Sequence, residues 1–273
     1  MSDPQAGSVG VVVCGAAGRM GRLLIELAST TPGLHVAGAI EQPGHAAVGQ
    51  DAGTIAGVRA LGVPIGSDLG AVCRPEHVIV DFTVPAATLA HARTAASRGA
   101  GLVIGTTGLG PAEDRELRQL AASTRAVIAA NYSVGVTVLL ELVARAATLL
   151  GDAFDAEIVE IHHHHKVDAP SGTALALGRA VATARGQDFD AVKTLARDGI
   201  VGARRPSEIG VVGLRAGDVV GDHTVIFGGM GERVELVHRA QSRTSLARGA
   251  LRAAAWVAAK PPGVYAMRDV LGL

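Results

Sequence analysis

VGVVVCGAAGRMGRLLIELAS, Val9 to Ser29, is the stretch whose reading decides the fold. Val9 to Cys14 is a continuous apolar run and Gly15 punctuates it. From Arg19 to about Ser29 the pattern turns helical, with Leu23, Leu24, Leu27 and Ala28 on one face. Strand, tight turn and helix therefore follow one another directly. A second apolar run, Leu34 to Ile40, ends at Glu41 and completes a βαβ unit, and the crossover helix makes its two strands parallel.

The turn itself, Gly15-Ala16-Ala17-Gly18-Arg19-Met20-Gly21, is a G-x-x-G-x-x-G variant of the dinucleotide fingerprint. Its first glycine permits the tight turn, the second lets backbone N–H groups approach a pyrophosphate, and the third allows close helix–strand packing. Glu41 lies twenty residues past Gly21, at the end of the second strand, where a carboxylate can accept hydrogen bonds from ribose hydroxyls. The competing reading is a plain βα turn with Glu41 as a solvated loop acid.

The same grammar continues: strand Val78 to Phe82, helix Ala86 to Ser97, strand Leu102 to Ile104, helix Pro111 to Ser123 and strand Ala126 to Ala130. Such alternation predicts a Rossmann-like, doubly wound parallel α/β sheet. Gln42 to Gly70 has little periodicity and is expected as a long connection with at most a short helix. Gly105-Thr106-Thr107-Gly108 and Ala129-Ala130-Asn131-Tyr132 end strands at the edge where open α/β sheets bind ligands, although Asn131 also suits a helix cap. After Asn131 come a helix near Val134 to Leu150, a strand Ala156 to His162 and a helix Ala174 to Ala184. Three alternating runs follow, near Ser207 to Leu214, Asp218 to Phe227 and Arg233 to Ala240, and a last helix spans Ser245 to Ala258. These runs predict a second, α+β domain with a mixed sheet.

At 273 residues the chain has room for two domains. Its 48% hydrophobic content, 36 glycines and 3% aromatics describe a globular protein with a core of small aliphatics, which excludes bulk disorder. Lys plus Arg equals Asp plus Glu at 25 each, so no global field steers the chain toward nucleic acid or an anionic membrane. Apolar stretches such as Val134 to Leu142 read as too short to span a bilayer, with Glu141 and Arg145 interrupting the helix that continues from them. MSDPQAGS reads as a short mobile tail without a secretion signal. Cys14 and Cys73 form no paired motif, and the expected compartment is the reducing cytoplasm.

EIHHHHKVDAPSGTA, Glu160 to Ala174, is the densest chemistry in the chain. Imidazoles exchange protons near neutral pH, Lys166 adds a fixed cation, and Ser171-Gly172-Thr173 opens a helix whose free N–H groups face an anion. Together they suggest an acidic substrate. Strand alternation keeps the four histidines from meeting one ligand. A zinc site competes for this segment, yet no cysteine is near and Lys166 would repel a dication. A solvated polar loop competes as well. Asp168 reads as turn support. Glu160 either orients a histidine or pairs with Lys166, and Arg243 in QSRTS either clamps a carboxylate or forms an ordinary ion pair.

GAAGRMGR (Gly15 to Arg22), VDFT (Val80 to Thr83), VIGTTG (Val103 to Gly108), AANYSVGV (Ala129 to Val136), EIHHHHKVDAPSGTALALG (Glu160 to Gly178), RAGDVVGDHTVIF (Arg215 to Phe227) and the final MRDVLGL closely resemble the bacterial dihydrodipicolinate reductases, in order and over nearly the whole chain. The HHxHKxDAPSGTA pattern is the specific part. The resemblance implies a cytoplasmic homotetrameric enzyme of the diaminopimelate route to lysine, which reduces 4-hydroxy-tetrahydrodipicolinate or dihydrodipicolinate to tetrahydrodipicolinate with a nicotinamide cofactor. It implies a dinucleotide-binding domain of residues 1–131 and 243–273, and a substrate-binding and tetramerisation domain of residues 132–242.

By position, the resemblance gives His162 the acid–base role and makes Lys166 the catalytic lysine. His163, Ser171, Gly172, Thr173 and Arg243 become substrate-binding. Gly15, Ala16, Ala17, Gly18, Arg19, Met20, Glu41, Gly105, Thr106, Thr107, Ala129, Ala130, Asn131 and Tyr132 become cofactor-binding, with no metal and a small dicarboxylate as substrate. Two positions depart from what is seen in some members. Residue 42 is Gln rather than Arg, which predicts NADH used at least as well as NADPH. His164 replaces an arginine and is expected to face solvent.

The mechanism so implied is hydride transfer with His162 as proton donor, Lys166 holding a carboxylate or developing charge, and the Ser171, Gly172 and Thr173 N–H groups holding a second carboxylate. Closure of the substrate domain over the cofactor is expected. A different Rossmann oxidoreductase would not need the His–Lys segment, and a non-enzymatic NAD-binding sensor would show no turnover.

Overall fold

A computed structural model of the chain describes residues 7–273; residues 1–6, most of the expected mobile tail, lie outside the described residues. The chain divides into two compact units, Met1–Ser133 with Thr244–Leu273, and Val134–Arg243.

The first unit is built on seven strands: β1 (Val9–Cys14), β2 (Leu34–Ile40), β3 (Ile65–Gly66), β4 (Val78–Asp81), β5 (Gly101–Ile104), β6 (Arg125–Ile128) and β12 (Gly263–Tyr265). They are parallel throughout and ordered β12-β6-β5-β4-β1-β2-β3. The chain runs outward from β1 in both directions, so the switch point lies between β1 and β4. Every residue of β4 and β5 is buried, as a sheet covered by helices on both faces requires.

The helices of this unit are α1 (Arg19–Ala28), α2 (Ala52–Ala56), α3 (Leu69–Val72), α4 (Pro85–Arg98), α5 (Pro111–Ala122), α9 (Thr244–Val257) and α10 (Met267–Leu271). Helix α4 starts with Pro85 in its first turn and stops at Gly99, whose φ of 69° is the left-handed cap that a Cβ disfavours. Helix α5 opens with Glu113 accepting from the Gly110 N–H at 2.7 Å. Helix α9 returns the chain to the first unit, where a Cβ on Gly249 would stand 1.7 Å from the Tyr132 carbonyl oxygen.

Three expectations need correcting here. The connection from Gln42 to Gly70 holds more than one short helix, since α2, the edge strand β3 and the start of α3 fall in it. Strand β4 stops at Asp81, because the Phe82 ring turns to pack on Tyr132 at 5.4 Å between centroids. The short β12 was not anticipated; three residues carry too little periodicity to be read.

The second unit carries a five-stranded mixed sheet, ordered β11-β10-β7-β9-β8. Its strands are β7 (Asp155–His162), β8 (Lys193–Thr194), β9 (Ile209–Arg215), β10 (Gly221–Gly228) and β11 (Arg233–Ala240), with helices α6 (Val134–Leu150), α7 (Gly172–Ala184) and α8 (Phe189–Val192). β9 runs parallel to β7 and β8, while β10 is antiparallel to β7 and β11. One sheet face and the two long helices enclose a core that includes Val143, Ile158, Leu177, Val225 and Phe227. Arg197 and Arg204, paired with Glu157, Asp155 and Glu208, tie the 193–208 segment to β7.

Helix α6 with the 3-10 turn after it, Val134–Ala153, is long and apolar enough by length and composition to cross a membrane, more than the sequence reading granted this stretch. Its inner face, Val136, Leu139, Val143 and Ala147, is nevertheless buried within the second unit, and Glu141 and Arg145 stand exposed on the opposite side.

Candidate active site

In the first unit the glycine loop and the strand ends meet at one edge. Parallel register aligns Cys14 with Ile40 and Asp81, Asp81 with Ile104, and Ile104 with Ile128, so the loops after β1, β2, β4, β5 and β6 share the carboxyl edge of the sheet. Gly15 takes φ 73° and donates its N–H to the Ile40 carbonyl at 2.8 Å. A Cβ on Gly21 would fall 2.1 Å from the Gly15 carbonyl oxygen, so only glycine lets α1 start this close to the turn. Gly18 caps α1 without a side chain, and Arg19 and Met20 open its first turn, whose N–H groups lack intrahelical acceptors. An uncapped helix start behind a glycine turn fits the pyrophosphate of a dinucleotide.

Glu41 is brought to this loop. Its carboxylate accepts from the Ala17 N–H at 3.0 Å and from the Gln42 N–H at 2.9 Å. Ala16 is buried, its N–H on the Ile40 carbonyl at 3.0 Å.

The other expected cofactor residues divide. Gly105 and exposed Thr107 line the edge after β5, and Gly105 must be glycine because a Cβ there would overlap the Phe82 ring at 2.1 Å. Ala129 and exposed Ala130 lead out of β6. Thr106 points inward, its hydroxyl shared with Asp81 and Thr88 at 3.3 and 2.7 Å. Tyr132 is fully buried with its hydroxyl donated between the Ile104 and Val127 carbonyls at 2.9 Å each, and burial pushes the phenol well up. Its ring therefore supports the edge from beneath, and only its backbone can face a ligand. The Asn131 side chain accepts from the Ser133 N–H at 2.8 Å, an Asx turn.

Beneath this edge, Cys14, Asp81 and His91 are the one group among the described residues whose ligand atoms lie within 4.8 Å of one another. The Asp81 oxygens are occupied by His91 Nδ1 at 2.6 Å, the Thr83 N–H and hydroxyl at 2.8 and 2.6 Å, and Thr106. Burial pushes the Asp81 carboxyl up, but the His91 and Thr83 hydrogen bonds outweigh it and hold it below its ordinary value. Cys14 is a buried thiol pushed well up by desolvation. Asp81 and His91 belong to a hydrogen-bond network with Thr83 and Thr106, beside which the Cys14 thiol is buried.

In the second unit the functional side chains gather around Glu160. Strand alternation sends Ile158, Glu160 and His162 to the face covered by the helices, and Glu160 is completely buried. Its carboxylate lies 2.5 Å from His162 Nδ1, accepts from Arg215 Nη1 at 2.9 and 3.0 Å, and accepts from the Ser171 N–H at 3.0 Å. Burial raises this carboxyl, yet the His162, Arg215 and Ser171 donors prevail and hold it below its ordinary value. Gly213, paired with Glu160 across β7 and β9, makes the room: a Cβ there would stand 2.7 Å from the carboxylate. Gly221 does the same for the other side of the ring, where a Cβ would stand 2.9 Å from His162 Nε2.

β7 ends at His162, so the following histidines leave the strand for a turn. His164 and His165 are exposed, their rings tilted against each other at 3.9 Å between centroids. His163 is half-buried, and its imidazole is held below its ordinary value by burial and then by Arg243 and its cationic neighbours. Lys166 Nζ donates to both Asp168 oxygens, at 2.7 and 2.8 Å. Arg215 also donates to the Asp168 carbonyl, so one guanidinium spans the loop between β7 and α7.

Ser171 caps α7, its hydroxyl accepting from the Ala174 N–H at 3.2 Å and lying 3.1 Å from His223 Nε2. The Ser171 N–H that was expected to face a carboxylate is donated to Glu160 instead; Gly172 and Thr173 supply the first-turn backbone of α7. His223 is buried beside His162 at 5.2 Å between ring centroids, and burial followed by the neighbouring His162 pushes it down to about 4.

Arg215 and His223 had no role in the sequence reading. Each sits opposite β7 only through strand register, Arg215 beside His162 and His223 beside Glu160. The pairing of Glu160 with His162 is legible in the sequence, since two residues apart on a strand means one face.

Two family models match: one described as dihydrodipicolinate reductase, N-terminus, over residues 9–132, the other as dihydrodipicolinate reductase, C-terminus, over residues 135–271. The chain is 53% identical over 266 residues to a 4-hydroxy-tetrahydrodipicolinate reductase of Halorhodospira halophila, covering 97% of this chain and 100% of the relative. It is 52% identical over 263 residues to the enzyme of that name from Anaeromyxobacter dehalogenans, covering 96% and 97%. Among solved structures, a dipicolinate-bound dihydrodipicolinate reductase from Paenisporosarcina sp. TG-14 shares the fold with a TM-score of 0.74 at 20% identity, covering 96% of this chain and 98% of that one.

Proposed function

The chain belongs to the dihydrodipicolinate reductase family, and from that membership we propose which of its residues perform the reaction. It is an NAD(P)H-dependent oxidoreductase that reduces 4-hydroxy-tetrahydrodipicolinate, or the dihydrodipicolinate derived from it, to tetrahydrodipicolinate in the diaminopimelate route to lysine.

A nicotinamide cofactor, when bound, would supply a hydride. The first unit, with Gly15 to Met20, Glu41, the Gly105 to Thr107 loop and the Ala129 to Tyr132 backbone, is the dinucleotide-binding domain. The second unit binds the small dicarboxylate. His162 gives a proton from Nε2 to the carbon that gains electron density. The Lys166 ammonium holds one carboxylate, for which the incoming ligand competes with Asp168. The Gly172 and Thr173 backbone and the Ser171 hydroxyl at the start of α7 take the other, with His163 and Arg243 completing the cationic wall. The observation that carries this reading is that the His162 ring and the start of α7 are fixed by one buried carboxylate, Glu160.

Glu41, pinned by two N–H groups and followed by Gln42, favours a free ribose hydroxyl, and NADH is used at least as well as NADPH. The expected assembly is a homotetramer formed through the second unit. Its sheet face turned away from α6 and α7 presents Val159, Ile161, Val212, Leu214, Ile226 and Val237, with Leu214 46% and Val237 43% exposed. Light scattering on purified protein tests the assembly, and a monomer would contradict it. The activity is tested by NADH oxidation that depends on freshly made dihydrodipicolinate synthase product and is inhibited by pyridine-2,6-dicarboxylate. Oxidation independent of that product, or none at all, would overturn the reading.

A further inference from the structure

We propose that Glu160 is a positioning residue for His162: it accepts the Nδ1–H, fixes the tautomer that leaves Nε2 as the working nitrogen, and is itself held by Arg215. The inference rests on the assignment of proton transfer to His162. A carboxylate is an acceptor only, so a ring nitrogen 2.5 Å from Glu160 must carry the hydrogen. That leaves Nε2 as the nitrogen not held by Glu160. Nε2 faces the side where Gly221 carries no side chain.

The geometry asks more of Glu160 than a structural ion pair needs. A buried carboxylate facing one arginine would be satisfied as a salt bridge, yet this one is shared among a guanidinium, an imidazole and a backbone N–H. Its three partners come from β7, β9 and the start of α7, so movement of the carboxylate would disturb the ring and the anion cradle together. Arg215 fixes it from the far side and also grips the Asp168 carbonyl, which sets the loop carrying Lys166. When His162 releases the Nε2 proton to the substrate, the ring is left neutral with Nδ1–H still on Glu160. The next proton comes from solvent to Nε2, and the charge of the Glu160–Arg215 pair is unchanged through the cycle.

The test begins on the wild-type protein. Nitrogen-15 spectra of histidine-labelled protein, at a pH where the ring is neutral, should show His162 with Nδ1 protonated and Nε2 bare; the opposite tautomer overturns the proposal. Glu160→Gln, whose amide admits either tautomer, should lower kcat at least about tenfold while leaving KM for NADH within about twofold. Glu160→Asp keeps the charge but draws the carboxylate back from the ring by one methylene, and should lose kcat in the same way. In a His162→Ala background the Glu160→Gln change should cost far less kcat than in wild type, because its effect on kcat runs through the ring, while its contact with Ser171 shows in KM for the dicarboxylate. Equal losses in both backgrounds, or a Glu160→Gln enzyme within twofold of wild type, would overturn the proposal. If His162→Ala itself turns over normally, the assignment of His162 fails instead, so the two failures are distinguishable.

Discussion

Glu160 lies on β7 two residues before His162 with its carboxylate 2.5 Å from Nδ1 of that ring, while Arg215 reaches the same carboxylate from β9, the strand paired beside it. A carboxylate so placed holds that ring from one side and leaves Nε2 for the proton transfer proposed for it.

Acidification should destabilise the fold through His223. Its folded value of about 4 lies below the unfolded 6.5, so between these pH values the unfolded chain binds a proton that the folded one does not, and stability falls as pH falls. The loss by pH 5, relative to pH 7.5, is about 2 kcal/mol for this residue. Urea midpoints at the two pH values in wild type and His223→Asn check it: the variant should show the shallower pH dependence. The lowered carboxyls Glu160 and Asp81 act in the same direction but in a lower pH range. Their contribution is present above their unfolded values of 4.5 and 3.8 and fades only as pH falls below them.

Cofactor preference should follow residue 42. Wild type should give kcat/KM for NADH at least equal to that for NADPH, and Gln42→Arg should move the ratio toward NADPH by about tenfold, or roughly 1.4 kcal/mol. A wild-type enzyme preferring NADPH tenfold would contradict the role given to Glu41.

Gly21→Ala should damage cofactor binding and stability together. The added Cβ would meet the Gly15 carbonyl at 2.1 Å and the Ala16 backbone at 2.8 Å, both rigid parts of the turn. A loss of about 1 to 3 kcal/mol in folding stability is expected, with a raised KM for NADH and unchanged binding of pyridine-2,6-dicarboxylate. Calorimetry on the variant with each ligand separates the effects.

What the sequence made legible follows from range. The βαβ start at Val9, the alternation to β6 and the helix start at Ser171 rest on local periodicity and turn chemistry, and each appears in the structure within a few residues of its expected bounds. The Arg215 partner of Glu160 is not legible in this way, because it is 55 residues away in sequence and reaches Glu160 through strand register. The same holds for His223 beneath Ser171, 52 residues away. The burial of the Tyr132 ring was not legible for a related reason: a residue at the ligand-binding edge need not show its ring to the ligand, and the backbone carbonyls that take its hydroxyl belong to the ends of β5 and β6.

The measurement that bears most directly on the central claim is kcat of His162→Ala and of Lys166→Ala, each shown by circular dichroism to be folded, in the synthase-coupled NADH assay. Each should fall by on the order of a hundredfold or more, as expected for loss of a proton donor or of a cation facing developing charge. Turnover near the wild-type rate in both folded variants would contradict the account.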